Sequence, residues 1–165
     1  MNPSAPCFLL VDDHALFRTG LGMMLAEHWP EAVMRHAGDW AQALSSARAL
    51  RPAPDLVLLD IQLPDGHGLD NLAQLQALLP DCPVLLMSAQ VDAERLAQAQ
   101  QRGAAGLMAK VASAREIVTA VRAALSGTPT FAMASPLPRP EPIRVPGGGA
   151  LSDGALDALS GEGSA

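Results

Sequence analysis

Four short apolar runs in this chain each end at a residue able to do chemistry. Phe8–Val11 leads into Asp12 and Asp13, Leu56–Leu59 into Asp60, Val84–Met87 into Ser88, and Leu107–Ala109 into Lys110. If the runs are parallel strands, their carboxyl ends converge, and three carboxylates, a hydroxyl and an ammonium share one pocket. Two carboxylates about 4 Å apart repel by roughly 1 to 4 kcal/mol, depending on the local dielectric. Such a cluster raises some of its own pKa values or demands a cation. Oxygen ligands favour a hard divalent ion, and Mg²⁺ is the abundant choice. Lys110 brings a second positive charge, and it is the only lysine in the chain.

The elements that must position these residues follow from periodicity. Continuous apolar runs of about four residues suit strands buried on both faces. Ala32–Ala37 carries Arg35 and His36, as an edge strand would. Phe17, Leu21, Met24 and Leu25 share one helical face, with the Met23–Met24 pair expected to pack that helix. Trp40, Ala43, Leu44 and Ala47 repeat the spacing behind a capping Asp39. Leu72, Leu75 and Leu79 mark a third helix, terminated with the help of Pro80. Residues 92–102 form a weakly amphipathic fourth, ending at Gly103. Ser113 caps a fifth with Ile117, Val118, Val121 and Leu125 on its buried face, ended by Gly127. Five strands alternating with five helices predict an α/β fold, a parallel sheet covered on both sides by right-handed crossovers. Sites in such folds gather at the carboxyl strand ends, near the switch in strand order.

Composition narrows the function classes. The hydrophobic fraction of 49% supports a core, and only 3% aromatics means aliphatic packing. A net charge of −6 argues against general affinity for nucleic acid. Cys7 and Cys82 are too few and too far apart for a disulfide framework or zinc site. No apolar run approaches the roughly 18 to 20 residues that span a bilayer. The N-terminus lacks a basic signal-peptide region, so a cytoplasmic location and no membrane partner are expected. His14 reads as a helix-start residue rather than a metal ligand, and His28, His36 and His67 as surface or packing residues.

Taken together, VDDHALFRTGL, LVLLDIQLPDGHGLD, LLMSA and GAAGLMAK resemble the CheY-like receiver domain of bacterial two-component response regulators, the opening being similar to the NarL/FixJ subgroup. The resemblance implies a flavodoxin-like (βα)5 fold with strand order 2-1-3-4-5 over residues 5–127. It implies that Asp60 takes a phosphoryl group from a phosphohistidine on a sensor histidine kinase, a signalling role rather than that of a turnover enzyme. Asp13, Asp60 and the backbone carbonyl of Gln62 would bind Mg²⁺, with Asp12 acting mostly through water. Ser88 and Lys110 would contact the phosphoryl oxygens, and Pro64 and Gly66 would shape the loop. Ser88 and Leu107 hold the switch position, where the family often has Tyr or Phe in place of Leu107. Val111 stands where many receivers have proline. Gln62 and Gln90 flank the site and are expected to tune phosphate hydrolysis. Gln62 also stands where an aspartyl-nucleophile phosphatase needs a second carboxylate, which disfavours that reading. An Asp-Asp pair after the first strand disfavours a phosphate-cradling cofactor loop.

Residues 128–165 hold SPLPRPEP and PGGG and read as a linker and disordered tail. Leu151–Leu159 faintly resembles the opening helix of the subgroup's helix-turn-helix, with Gly154-Ala155 where Arg-Glu is usual. The expectation is an output domain that is absent or cut short. The chain would then signal through protein contacts on the fourth helix, fifth strand and fifth helix. A regulator partner or homodimer fits this, and direct DNA binding does not. The alternative is a truncated or degenerate NarL/FixJ-type DNA-binding regulator.

Overall fold

A computed structural model describes residues 5–131. Of the tail expected over 128–165, residues 132–165, including Leu151–Leu159, lie outside the described residues. In chain order the elements are β1 (Cys7–Val11), α1 (Ala15–His28), β2 (Val33–Ala37), α2 (Trp40–Ala49) and β3 (Leu56–Asp60), followed by β4 (Gln62–Leu63), β5 (Gly66–His67) and α3 (Gly68–Leu78). β6 (Val84–Ser88), α4 (Ala93–Gln101), β7 (Gly106–Ala109) and α5 (Ala114–Leu125) complete the fold.

The main sheet has the order β2-β1-β3-β6-β7, with every neighbouring pair parallel. Counting only these five strands, this is the 2-1-3-4-5 order expected. Strand side chains alternate between faces, and the core divides accordingly. Leu9, Val11, Val57, Leu59 and Leu86 pack against α2 and α3, with Ala99 of α4 in the same cluster. Phe8, Leu10, Leu58, Leu85 and Met87 pack against Leu21 and Leu25 of α1 and Ile117, Ala120, Val121 and Ala124 of α5. Burial on both faces explains why β3 and β6 are apolar at every position before their terminal Asp60 and Ser88.

Helix ends follow local chemistry. Asp39 accepts from the Gln42 N–H and starts α2, while Ser113 and Glu116 form a reciprocal capping box on α5. Gly103, just past α4, has φ +80, a backbone region that glycine enters without strain.

Two local expectations need correction. Met23 is 67% exposed, because only Met24 lies in register with Leu21 and Leu25 on the buried stripe of α1. The segment after Asp60 is more than a turn, since Gln62 pairs with His67 and Leu63 with Gly66 in an antiparallel hairpin. Strands of two residues carry no periodicity from which they could be read.

Past Gly127 the chain continues along the sheet edge. Thr130 donates its N–H to the Ala105 carbonyl at 3.0 Å and is buried over Gly106, while Phe131 packs on the α2/α3 side of the core. No helix among the described residues is long and apolar enough to cross a membrane.

Candidate metal and phosphoryl site

The sheet order reverses at β1: the chain runs outward to β2, then returns to β3 on the other side. The crevice created there lies between the ends of β1 and β3. Asp12 follows β1 directly, and its backbone N–H bonds the Ala37 carbonyl at 3.1 Å. Arg18, from α1, holds the Asp12 carbonyl. Asp60 ends β3, with its Oδ1 accepting from the Gln62 N–H at 3.0 Å. Lys110 follows β7, its backbone N–H bonded to the Ser88 carbonyl at 2.9 Å.

These backbones bring the charged atoms together. Lys110 Nζ lies 2.7 Å from Asp12 Oδ2 and 3.2 Å from Asp60 Oδ2, so one ammonium bridges both buried carboxylates. The contact to Asp12 Oδ2 is a charge pairing without hydrogen-bond geometry, leaving that fully buried oxygen without a hydrogen bond. The Lys110 ammonium is also steadied by an aromatic face, Nζ lying 4.6 Å from the centre of the Phe17 ring. Burial pushes the Asp60 carboxyl above its usual range, and the charge of Asp12 adds to this, against the Gln62 N–H and Lys110. Burial alone would lower the Lys110 ammonium, but its pairing with the carboxylates of Asp12 and Asp60 outweighs this and raises its pKa.

Asp12, Asp13, Asp60 and His14 offer ligand atoms all within 4.8 Å of one another. The donors suit a hard divalent cation: three carboxylates against one ammonium leave a formal excess of two negative charges, and one buried oxygen lacks a hydrogen bond. His14 was expected merely to start a helix. It does occupy the N-cap of α1, yet its Nδ1 also lies 3.0 Å from Asp12 Oδ1 and 3.2 Å from Asp13 Oδ1. Its side-chain direction depends on a turn that leaves no trace in residue spacing.

The group opens into a cleft of about 320 Å³ lined by Asp13, His14, Asp60, Gln62, Pro64, Ala89 and Lys110. A larger cleft of about 580 Å³ lies at the opposite ends of the strands, by Cys82, Val84 and Thr128, with Asp81 the one charged residue lining it. Ser88 is buried beside Ala89, which lines the cleft, and its hydroxyl bonds to Gln90 and Arg95. Leu107 is buried in the α2/α3 layer. His67 caps α3, its Nδ1 accepting from the Leu69 N–H at 3.2 Å. Burial pushes both cysteine thiols up, Cys82 to about 12, so neither is a ready nucleophile.

Residues 8–122 match the response regulator receiver domain family. The transcriptional activator protein ExaE of Pseudomonas putida is 35% identical over 119 residues, covering 72% of this chain and 55% of that protein. The chain thus spans about half the length of the curated relatives it matches. Among solved structures, the NarL signal receiver domain of Mycobacterium tuberculosis is 33% identical with a TM-score of 0.65, covering 76% of this chain and 99% of that one. A Burkholderia pseudomallei response regulator, solved with a phosphorylated aspartic acid, a calcium ion and citrate, is 27% identical with a TM-score of 0.64, covering 74% and 69%. Sequence, sheet order and the acidic strand ends agree, and the chain belongs to the response regulator receiver domain family.

Proposed function

We propose that Asp60 accepts a phosphoryl group from a phosphohistidine of a sensor histidine kinase, and that the modified chain signals through protein contacts in the cytoplasm. The observation that carries this reading is the bridging of Asp60 and Asp12 by Lys110 at the mouth of the cleft. An Asp60 oxygen attacks phosphorus, the N–P bond of the phosphohistidine breaks, and the imidazole leaves with that electron pair. Lys110 moves its charge onto a phosphoryl oxygen, and Ser88 turns its hydroxyl toward another. A divalent ion, Mg²⁺ in this reading, held by Asp12, Asp13, Asp60 and the Gln62 carbonyl, supplies charge neutralisation for the phosphoryl oxygens. Gln62 and Gln90 govern access of water to the acyl phosphate. The phosphorylated aspartate of the Burkholderia pseudomallei relative supports the assignment.

Borohydride reduces an acyl phosphate to an alcohol, converting the modified aspartate to homoserine. After incubation with acetyl phosphate and Mg²⁺, peptide mapping should find homoserine at position 60. Homoserine at another aspartate, with none at 60, would overturn the assignment. A second reading is favoured by relatives named as transcriptional activators, in which the chain acts on DNA. A mobility-shift assay with and without acetyl phosphate separates the two, protein-contact signalling predicting no shift in either state.

A further inference from the structure

Ser88 closes β6 next to Ala89, which lines the cleft, and its hydroxyl is already fully engaged. A serine hydroxyl has one proton to donate and two lone pairs to accept with. The proton goes to the Gln90 carbonyl at 2.5 Å. The lone pairs accept from the Gln90 N–H at 3.1 Å and from Arg95 Nη1 at 2.8 Å. Nothing is left for an incoming oxygen. To donate to a phosphoryl group, the hydroxyl must give up the Gln90 carbonyl.

Arg95 makes that exchange easy. The same Nη1 lies 3.1 Å from the Gln90 carbonyl, which therefore keeps a donor when the hydroxyl turns away. Arg95 also belongs to the first turn of α4, where its backbone N–H is held by the capping Asp92 at 2.8 Å. It thus ties the end of β6 to the start of a helix. Leu107, buried and without a polar atom, offers no hydrogen bond with which to do the same.

We propose that Arg95 is a positioning residue that parks the Ser88 hydroxyl in the unmodified protein and transmits its departure to α4. The inference rests on the assignment of Asp60 as phosphoryl acceptor. When the hydroxyl turns to the phosphoryl oxygen, Arg95 loses one of its two acceptors and recentres on the Gln90 carbonyl. The first turn of α4 moves with it. The relay runs through a guanidinium rather than an aromatic ring.

Amide NMR spectra of the full chain, with and without beryllofluoride and Mg²⁺ as a phosphoryl mimic, test this. In the wild type, resonances of the loop after Asp60 and of Ala93–Gln101 should both shift. Arg95→Ala should keep the loop response and lose the α4 response. Arg95→Lys should recover part of it, and Ser88→Ala combined with Arg95→Ala should lose no more than Arg95→Ala alone. Arg95 is partly exposed, so its truncation leaves the core intact. An α4 response in Arg95→Ala equal to wild type would overturn the relay, as would a wild-type α4 that stays silent while the loop responds. No loop response in the wild type would instead sink the Asp60 assignment, and the relay with it.

Discussion

Lys110 is what makes two buried carboxylates tolerable at one strand rim. It pairs with Asp12 and Asp60 at once, and both are buried, so each would otherwise face the other in a poorly solvated place. Lys110→Met keeps the apolar stem beside Phe17 and removes the charge. Breaking a buried pairing from one side is strongly unfavourable, and this variant should lose roughly 2 to 4 kcal/mol of unfolding free energy in metal-free buffer. Mg²⁺ should restore part of the loss. Urea unfolding with and without Mg²⁺ measures both, and wild-type stability without metal would contradict the bridging role. Asp12, Asp13, Asp60 and Lys110 were legible in the sequence because each follows an apolar run, and strand ends in a parallel sheet must meet. His14 and Arg95 were not. Their contacts are set by a helix-start turn and by the reach of a long side chain, neither of which produces a repeat.

At the scale of elements, the hairpin β4–β5 does more than connect. Asp65, at its turn, accepts from the Trp40 N–H at 2.7 Å and the Ala41 N–H at 3.0 Å, tying the loop after Asp60 to the start of α2. The hydrogen bond from Trp40 holds the Asp65 carboxyl below its usual range, against a smaller opposing effect of burial. A depressed folded-state pKa stabilises the protein above the unfolded value, about 3.9, and the contribution disappears as pH falls through the folded value. Asp65→Asn should therefore unfold at lower urea than wild type at neutral pH, and the gap should close in acid below that range. A gap independent of pH would mean that the charge plays no part. The major elements were readable from their patterns: the apolar runs of β1, β3 and β6, the Asp39 and Ser113 caps, and Pro80 behind α3. The hairpin escaped, since Pro64 and Gly66 announce a turn and say nothing of the pairs on either side.

For the molecule as a whole, the two apolar layers flank a sheet whose edge strand is β7. Composition changes after Gly127, which made 5–127 the natural sequence boundary, but burial does not end there. Thr130 covers Gly106 and Phe131 packs beside it. A chain ending at 127 should therefore be less stable than one ending at 131, by about 2 kcal/mol from the apolar area exposed. Equal thermal midpoints would show that these four residues contribute nothing. The central claim, that the cleft loads a phosphoryl group on one particular carboxylate with the help of a divalent ion, is tested most directly by labelling. The full chain and its Asp60→Asn variant are incubated with radiolabelled acetyl phosphate, in Mg²⁺ and in chelator. The account predicts label on the wild type in Mg²⁺ alone and none on the variant; equal label on both proteins would contradict it.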